Sequence, residues 1–184
     1  MSRKQHRDGD GAITRTRDYF QFVPAPGLLM LDYDPLPGVA ALPADELRTL
    51  LVEAAPCLAA APMLWRPSVS SGICAPDGRE LTGLRGQRIY IPVADASLTP
   101  KAGEALVSLL WAVGQGHAIV GTAGQTLLRT LVDATVFQPE RLDFAAPPLL
   151  ADGLTRRPAQ ARIWGETAGR FDLRKLIAQA DSSR

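Results

Sequence analysis

Apolar positions fall along this chain in short runs of different periods, and the period of each run sets the element it predicts. Tyr19-Phe20-Gln21-Phe22-Val23 alternates and is rich in aromatics, the pattern of a strand, and Pro24-Ala25-Pro26-Gly27 forces a turn after it. Leu28-Leu29-Met30-Leu31 is continuously apolar, which predicts a strand covered on both faces, and it stops at Asp32-Tyr33-Asp34-Pro35. Residues 45–55 place Leu47, Leu50 and Leu51 on one face of an amphipathic helix. Met63-Leu64-Trp65 opens another strand that runs into Ser68-Val69-Ser70-Ser71-Gly72, and residues 75–86 form a polar, glycine-containing excursion. Residues 88–93 alternate again, with Pro92 placing the end of that strand near a sheet edge.

The second half continues in the same manner. Ser97 or Thr99 caps a helix with Pro100 in its first turn and with Leu106, Leu109, Leu110 and Val113 on its apolar side, ending at Gly114 or Gly116. Residues 117–120 and 127–137 read as paired strands about the 121–124 turn, the second of them part helix. A proline-rich loop follows at Pro147-Pro148, and residues 171–180 form a short terminal helix capped by Asp172 or its predecessors.

Composition turns these elements into a fold class. A chain of 184 residues that is 46% hydrophobic and 21% charged has material for one core, and it reads as a single α/β domain. Within it, residues 1–18 are a flexible lead-in, 19–150 the core, and 151–184 a basic C-terminal extension. No apolar run reaches the roughly 18 residues of a bilayer span, and the polar N-terminus is unlike a secretory signal. The expectation is a cytoplasmic protein with no membrane partner. The two cysteines, Cys57 and Cys74, form no CxxC pair, and His6 and His117 are far apart, which argues against structural zinc. No histidine stands near a serine or cysteine in a hydrolase pattern. Net charge is only +1, yet the C-terminal stretch carries Arg156, Arg157, Arg162, Arg170, Arg174 and Lys175. Such a tail suits a phosphate backbone, and equally an ordinary solvated helix face.

Candidate chemistry centres on Asp32 and Asp34. Two carboxylates two positions apart on a strand share a face, and their repulsion is relieved by a proton or a hard cation such as Mg²⁺. A strand-end turn before Pro35 accounts for the same residues. Leu131-Val132-Asp133 repeats the arrangement of an acid after an apolar run, as in two-metal sites that draw carboxylates from neighbouring strands. Ser68, Ser70 and Ser71 beside Gly72 offer hydroxyls and amides to a phosphate, or make a plain serine-rich turn. Arg85 and Arg88 flank Gly86, and Arg129 and Arg141 flank Asp133, each a candidate phosphate contact or a surface arginine.

Taken in order, Gly27-Leu-Leu-Met-Leu-Asp-Tyr-Asp34, Pro67-Ser-Val-Ser-Ser-Gly-Ile73, Gly86-Gln-Arg-Ile-Tyr90 and Arg129-Thr-Leu-Val-Asp133 resemble the archaeo-eukaryotic primase superfamily. The likeness is to the primase-polymerase domains of phages, plasmids and integrated elements, and it covers residues 19–150. The segment from Phe137 to Phe144 resembles the stretch after the third motif in mobile-element members. The resemblance implies an α/β (α+β) fold with a mixed, largely antiparallel sheet and flanking helices, an RRM-like core. It implies a DNA primase or polymerase that transfers nucleotides with Mg²⁺ or Mn²⁺ in replication of a mobile element. Asp32, Asp34 and Asp133 would be the catalytic, metal-binding acids. Ser68, Ser70, Ser71, Arg85 and Arg88 would meet the nucleotide, and Arg129, Arg141, Arg156 and Arg157 the DNA. Partners would be a DNA template and primer, a dNTP or NTP, and a helicase, fused or separate.

Two departures stand out. Arg88 occupies the position of the family's phosphate-contacting histidine, and only 31 residues precede Asp32 where relatives carry a larger N-terminal part. Arg88 supports an alternative, a catalytically degenerate DNA-binding replication module. An unrelated metal-dependent nuclease ranks lower, because Lys4, Lys101 and Lys175 all lie far from the acids in sequence.

Overall fold

Strand β1 (Gly27–Tyr33) sends Leu29, Leu31 and Tyr33 inward, while its alternate residues Leu28, Met30 and Asp32 face the other way. Strands β2 (Met63–Pro67) and β5 (Gln87–Val93) repeat this division, burying Met63, Trp65, Ile89, Ile91 and Val93. The structure is a computed structural model describing residues 14–183. Its main sheet is antiparallel, in the order β1-β5-β2-β9, with β9 (Arg162–Trp164) at the far edge. Helices α1 (Ala44–Ala54), α2 (Thr99–Ala112) and α3 (Arg174–Ser182) contribute Leu47, Leu51, Leu106, Leu110 and Leu176 to the core under the inward face. Among the described residues, a three-stranded sheet β4-β3-β8 and the hairpin β6-β7 flank it. These strands are β3 (Ile73–Cys74), β4 (Glu80–Thr82), β6 (Gly116–Val120), β7 (Thr126–Thr130) and β8 (Thr155–Arg156). The chain is thus a mixed α/β fold built on antiparallel sheets, and no helix among the described residues is long and apolar enough to cross a membrane.

One buried polar relay ties the central strand to the loop before α1. The Trp65 indole donates to Gln87 Oε1 at 2.7 Å, and Gln87 Nε2 donates to the Leu42 carbonyl at 2.7 Å. Tyr33 adds its hydroxyl as acceptor for the Leu42 amide at 3.2 Å.

Several expectations change. Residues 19–23 form no strand, and of the expected lead-in residues 1–13 lie outside the described residues. The run beginning at Leu28 is covered on one face only, with Leu28 57% exposed, because all three helices pack on the same side. Pro92 sits in the central strand rather than at an edge; β2 pairs with β5 only as far as Tyr90, and the Phe171 amide bonds the Pro92 carbonyl beyond that point. Neither Ser97 nor Thr99 caps α2 through its side chain. Instead Asp95 accepts from Ser97 N and caps the short 3-10 helix before it. Residues 131–133 are not a strand: the hairpin ends at Thr130, and Asp133 caps a 3-10 helix over Ala134–Phe137. The C-terminal stretch is woven into the fold, since β9 extends the sheet and Leu173, Leu176 and Ala180 are buried.

Candidate active site

The open face of the sheet has a charged end and an apolar end. Register places Asp32 opposite Arg88 and Arg88 opposite Arg66, a charged row across β1, β5 and β2. The next row is Met30, Tyr90 and Leu64, and beyond it Leu28 faces Pro92. Cross-strand neighbours of this kind interact directly. Arg88 Nε lies 3.4 Å from Asp32 Oδ1, and its Nη1 lies 2.8 Å from Asp143 Oδ1. The side chains of Arg88 and Asp32 are only 13% and 17% exposed, so this pair is shielded from solvent.

Asp133 comes to the same place by a backbone contact. Its amide donates to the Asp32 carbonyl at 2.8 Å, on the side of β1 away from β5. Its carboxylate turns onto its own 3-10 helix, with Oδ1 accepting from Thr135 N at 3.0 Å and Oδ2 from the Thr135 hydroxyl at 2.7 Å. Arg129 stands 3.6 Å from Asp133 Oδ1. Asp34, exposed just past the strand, lies over Gly86: a Cβ there would strike Asp34 Oδ1 and crowd Ser68. Asp34, Asp133, Arg129 and His117 line one cleft of about 280 Å³ between the strand end and the hairpin. A larger cleft, about 620 Å³, is lined by Phe20, Phe22, Pro100, Ala134 and Phe137 and by none of these acids.

Electrostatics single out Asp32. Its carboxyl stands at about 6: burial raises it most, Arg88 draws it down, and Asp34, Asp133 and Asp143 add to the rise. Tyr90 is raised to about 12, by burial first and then by donating its hydroxyl to Asp143 Oδ2 at 2.5 Å.

The all-oxygen set of Asp32, Asp34 and Asp133 fits Mg²⁺ or Mn²⁺ in its chemistry, and a divalent ion would relieve the crowding of negative charge at Asp32. In the arrangement seen, no three His, Cys, Asp or Glu side chains among the described residues converge closely enough to hold an ion. Arg88 stands beside Asp32 and Thr135 takes both oxygens of Asp133. When bound, such an ion would supply charge neutralisation to a phosphoryl group.

The other expected residues divide between the site and its supports. Ser71 is buried and its hydroxyl accepts from the Arg85 amide at 3.0 Å, while Ser68 Oγ lies 2.9 Å from Ser70 Oγ. Ser70 and the Arg85 side chain are left exposed. Arg156 holds this serine loop from behind, donating to the Ser68 carbonyl at 3.0 Å and the Ser71 carbonyl at 3.2 Å. Arg157 is exposed. Arg141 reaches Asp133 indirectly, donating to Thr135 Oγ1 at 2.6 Å. Sequence reading missed Asp143, Thr135 and Arg66. Asp143 lies in the segment singled out after Asp133, two positions beyond Arg141, and that alternation was the available signal. No family model matches this chain, and no curated protein or solved structure is significantly similar to it.

Proposed function

We propose that this chain is a metal-dependent nucleotidyltransferase domain of the primase-polymerase type, which initiates or extends strands on a DNA template. The observation that carries the reading is the backbone contact that brings Asp133, distant in sequence, to the edge of β1 at Asp32, whose side chain lies on the open face of an antiparallel sheet covered by helices on its other side. Asp34 lies at the same strand end, and Arg88 and Arg66 provide positive charge in the same row. In this reading Asp32, Asp34 and Asp133 hold Mg²⁺ or Mn²⁺, Arg88 and Arg85 meet the triphosphate of a dNTP or NTP, and exposed Arg157 meets the template. Replication of a mobile element, with a helicase as partner, is the setting that the sequence resemblance suggests. The test is incorporation of dNTPs and NTPs on primed and unprimed templates with either metal. Asp32→Ala and Asp34→Ala should each abolish it, and variants as active as wild type would sink the reading.

A specific observation favours a second reading, a non-catalytic DNA-binding module. Arg88 already supplies a cation to Asp32, and Thr135 satisfies Asp133. Calorimetric titration with a dNTP and Mn²⁺ separates the two: metal-dependent binding counts for the first, and DNA binding without it for the second.

A further inference from the structure

Residues 141–145 lie across the open face of the sheet without regular secondary structure, and side chains of the sheet hold them by hydrogen bonds and an ion pair. Arg88 Nη1 pairs with Asp143 Oδ1 at 2.8 Å and donates to the Phe144 carbonyl at 3.1 Å. Tyr90 donates to Asp143 Oδ2, and Arg66 Nη2 to the Ala145 carbonyl at 3.1 Å. Arg141 donates to Thr135 Oγ1, the hydroxyl that itself bonds Asp133. Residues 141 and 143 therefore engage the acidic site while their neighbours turn outward, Leu142 52% and Phe144 65% exposed. The segment buries little apolar surface, and contacts of that kind open at low cost.

We propose that residues 141–145 are a strap that holds the acidic site closed and is lifted when a polyphosphate draws off its arginines. Closed, the strap fixes Arg88 against Asp32 through Asp143 and stabilises the Thr135–Asp133 pairing through Arg141, so two acids are committed at once. Arg88 Nε is buried without a hydrogen-bond acceptor, its approach to Asp32 being an ion pair without hydrogen-bond geometry. The strap thus leaves Nε of the guanidinium without an acceptor, and a phosphate oxygen offers the missing one. Release of Arg88 and Arg141 then frees Asp32 and Asp133. The proposal rests on the nucleotidyltransferase reading only for what the opened site does.

A nitroxide placed by Leu142→Cys in a Cys57→Ser background reads the strap directly, Cys74 being buried. Inorganic tripolyphosphate without metal should shift its spectrum from the immobilised to the mobile component. Asp143→Ala should show the mobile component without any ligand, and Tyr90→Phe, which loses one bond to Asp143, a partial shift. Near-ultraviolet circular dichroism establishes that each variant keeps its core. A spectrum unmoved by tripolyphosphate, or an Asp143→Ala spectrum equal to that of the parent, overturns the strap. A label that responds in a protein unable to incorporate nucleotides removes the polymerase reading and leaves the strap standing. An unresponsive label in a protein that does incorporate them removes the strap alone.

Discussion

The amide of Asp133 donates to the carbonyl of Asp32 at 2.8 Å, which docks the turn after the hairpin against the strand that carries the first acid. Burial of the Asp32 carboxyl, with Asp34, Asp133 and Asp143 near it, has a consequence for pH. The folded chain holds the Asp32 carboxyl at about 6 against an ordinary value of 3.8. Across that window the native state keeps a proton that the unfolded chain has released. The stability it contributes is therefore complete at the low end and is lost as pH rises through about 6. Asp32→Asn removes this loss. Its stability relative to wild type should improve by about 2 kcal/mol between about pH 4 and about pH 7, read from urea unfolding. A difference independent of pH would show that Asp32 is not held in this raised state.

Gln87 lies beneath this site, fully buried beside Arg88, and both ends of its amide are spoken for. Gln87→Leu would strand the Trp65 indole N–H and the Leu42 carbonyl in the core. The expected cost is about 3 kcal/mol by chemical denaturation. Gln87→Glu keeps an acceptor for Trp65 but loses the donor to Leu42, and should also destabilise.

Arg156 and Arg157 are neighbours in sequence with different work. Arg156→Ala frees the serine loop from two carbonyl contacts and should destabilise the fold by about 1.5–3 kcal/mol, the range for hydrogen bonds to a charged group. Arg157→Ala should leave the unfolding midpoint in place. If Arg157 meets a phosphate, its loss lowers the slope of log affinity against log salt for DNA by about 1. Equal thermal shifts in the two variants would contradict this division.

The sequence was legible where a strand is half-buried and its period is clean. The alternation from Arg88 to Val93 locates β5 to within one residue, and Leu47 with Leu51 locates the buried face of α1. The apolar run before Asp133 was misleading, because two apolar residues fit a strand or a turn equally, and Thr135 was needed to close the 3-10 helix. Register is not written in any one strand. Nothing in Asp32 or Arg88 alone shows that they face each other across β1 and β5, so a residue expected at a phosphate is found paired with an expected metal ligand. The strap contacts are longer-range still, joining Arg66 to Ala145 and Arg88 to Asp143 through the folded sheet.

Arg88→His tests how far that pairing governs the site. Arg88 places a fixed positive charge 3.4 Å from Asp32 and bridges to Asp143. A neutral imidazole removes the charge that competes with a divalent ion for the Asp32 carboxylate. Mn²⁺ affinity, measured by water-proton relaxation above pH 7, should rise about tenfold, the scale of one lost unit charge at several ångströms in a partly shielded site. Below about pH 6 that gain should shrink, because the introduced imidazole then takes up a proton and carries the positive charge again. Tripolyphosphate affinity without metal should move the other way, since the guanidinium fork is gone. Opposite signs for the two ligands would identify Arg88 as the counterion of Asp32 and a phosphate contact at once. A parallel fall in both would mean that Arg88 only holds the sheet together.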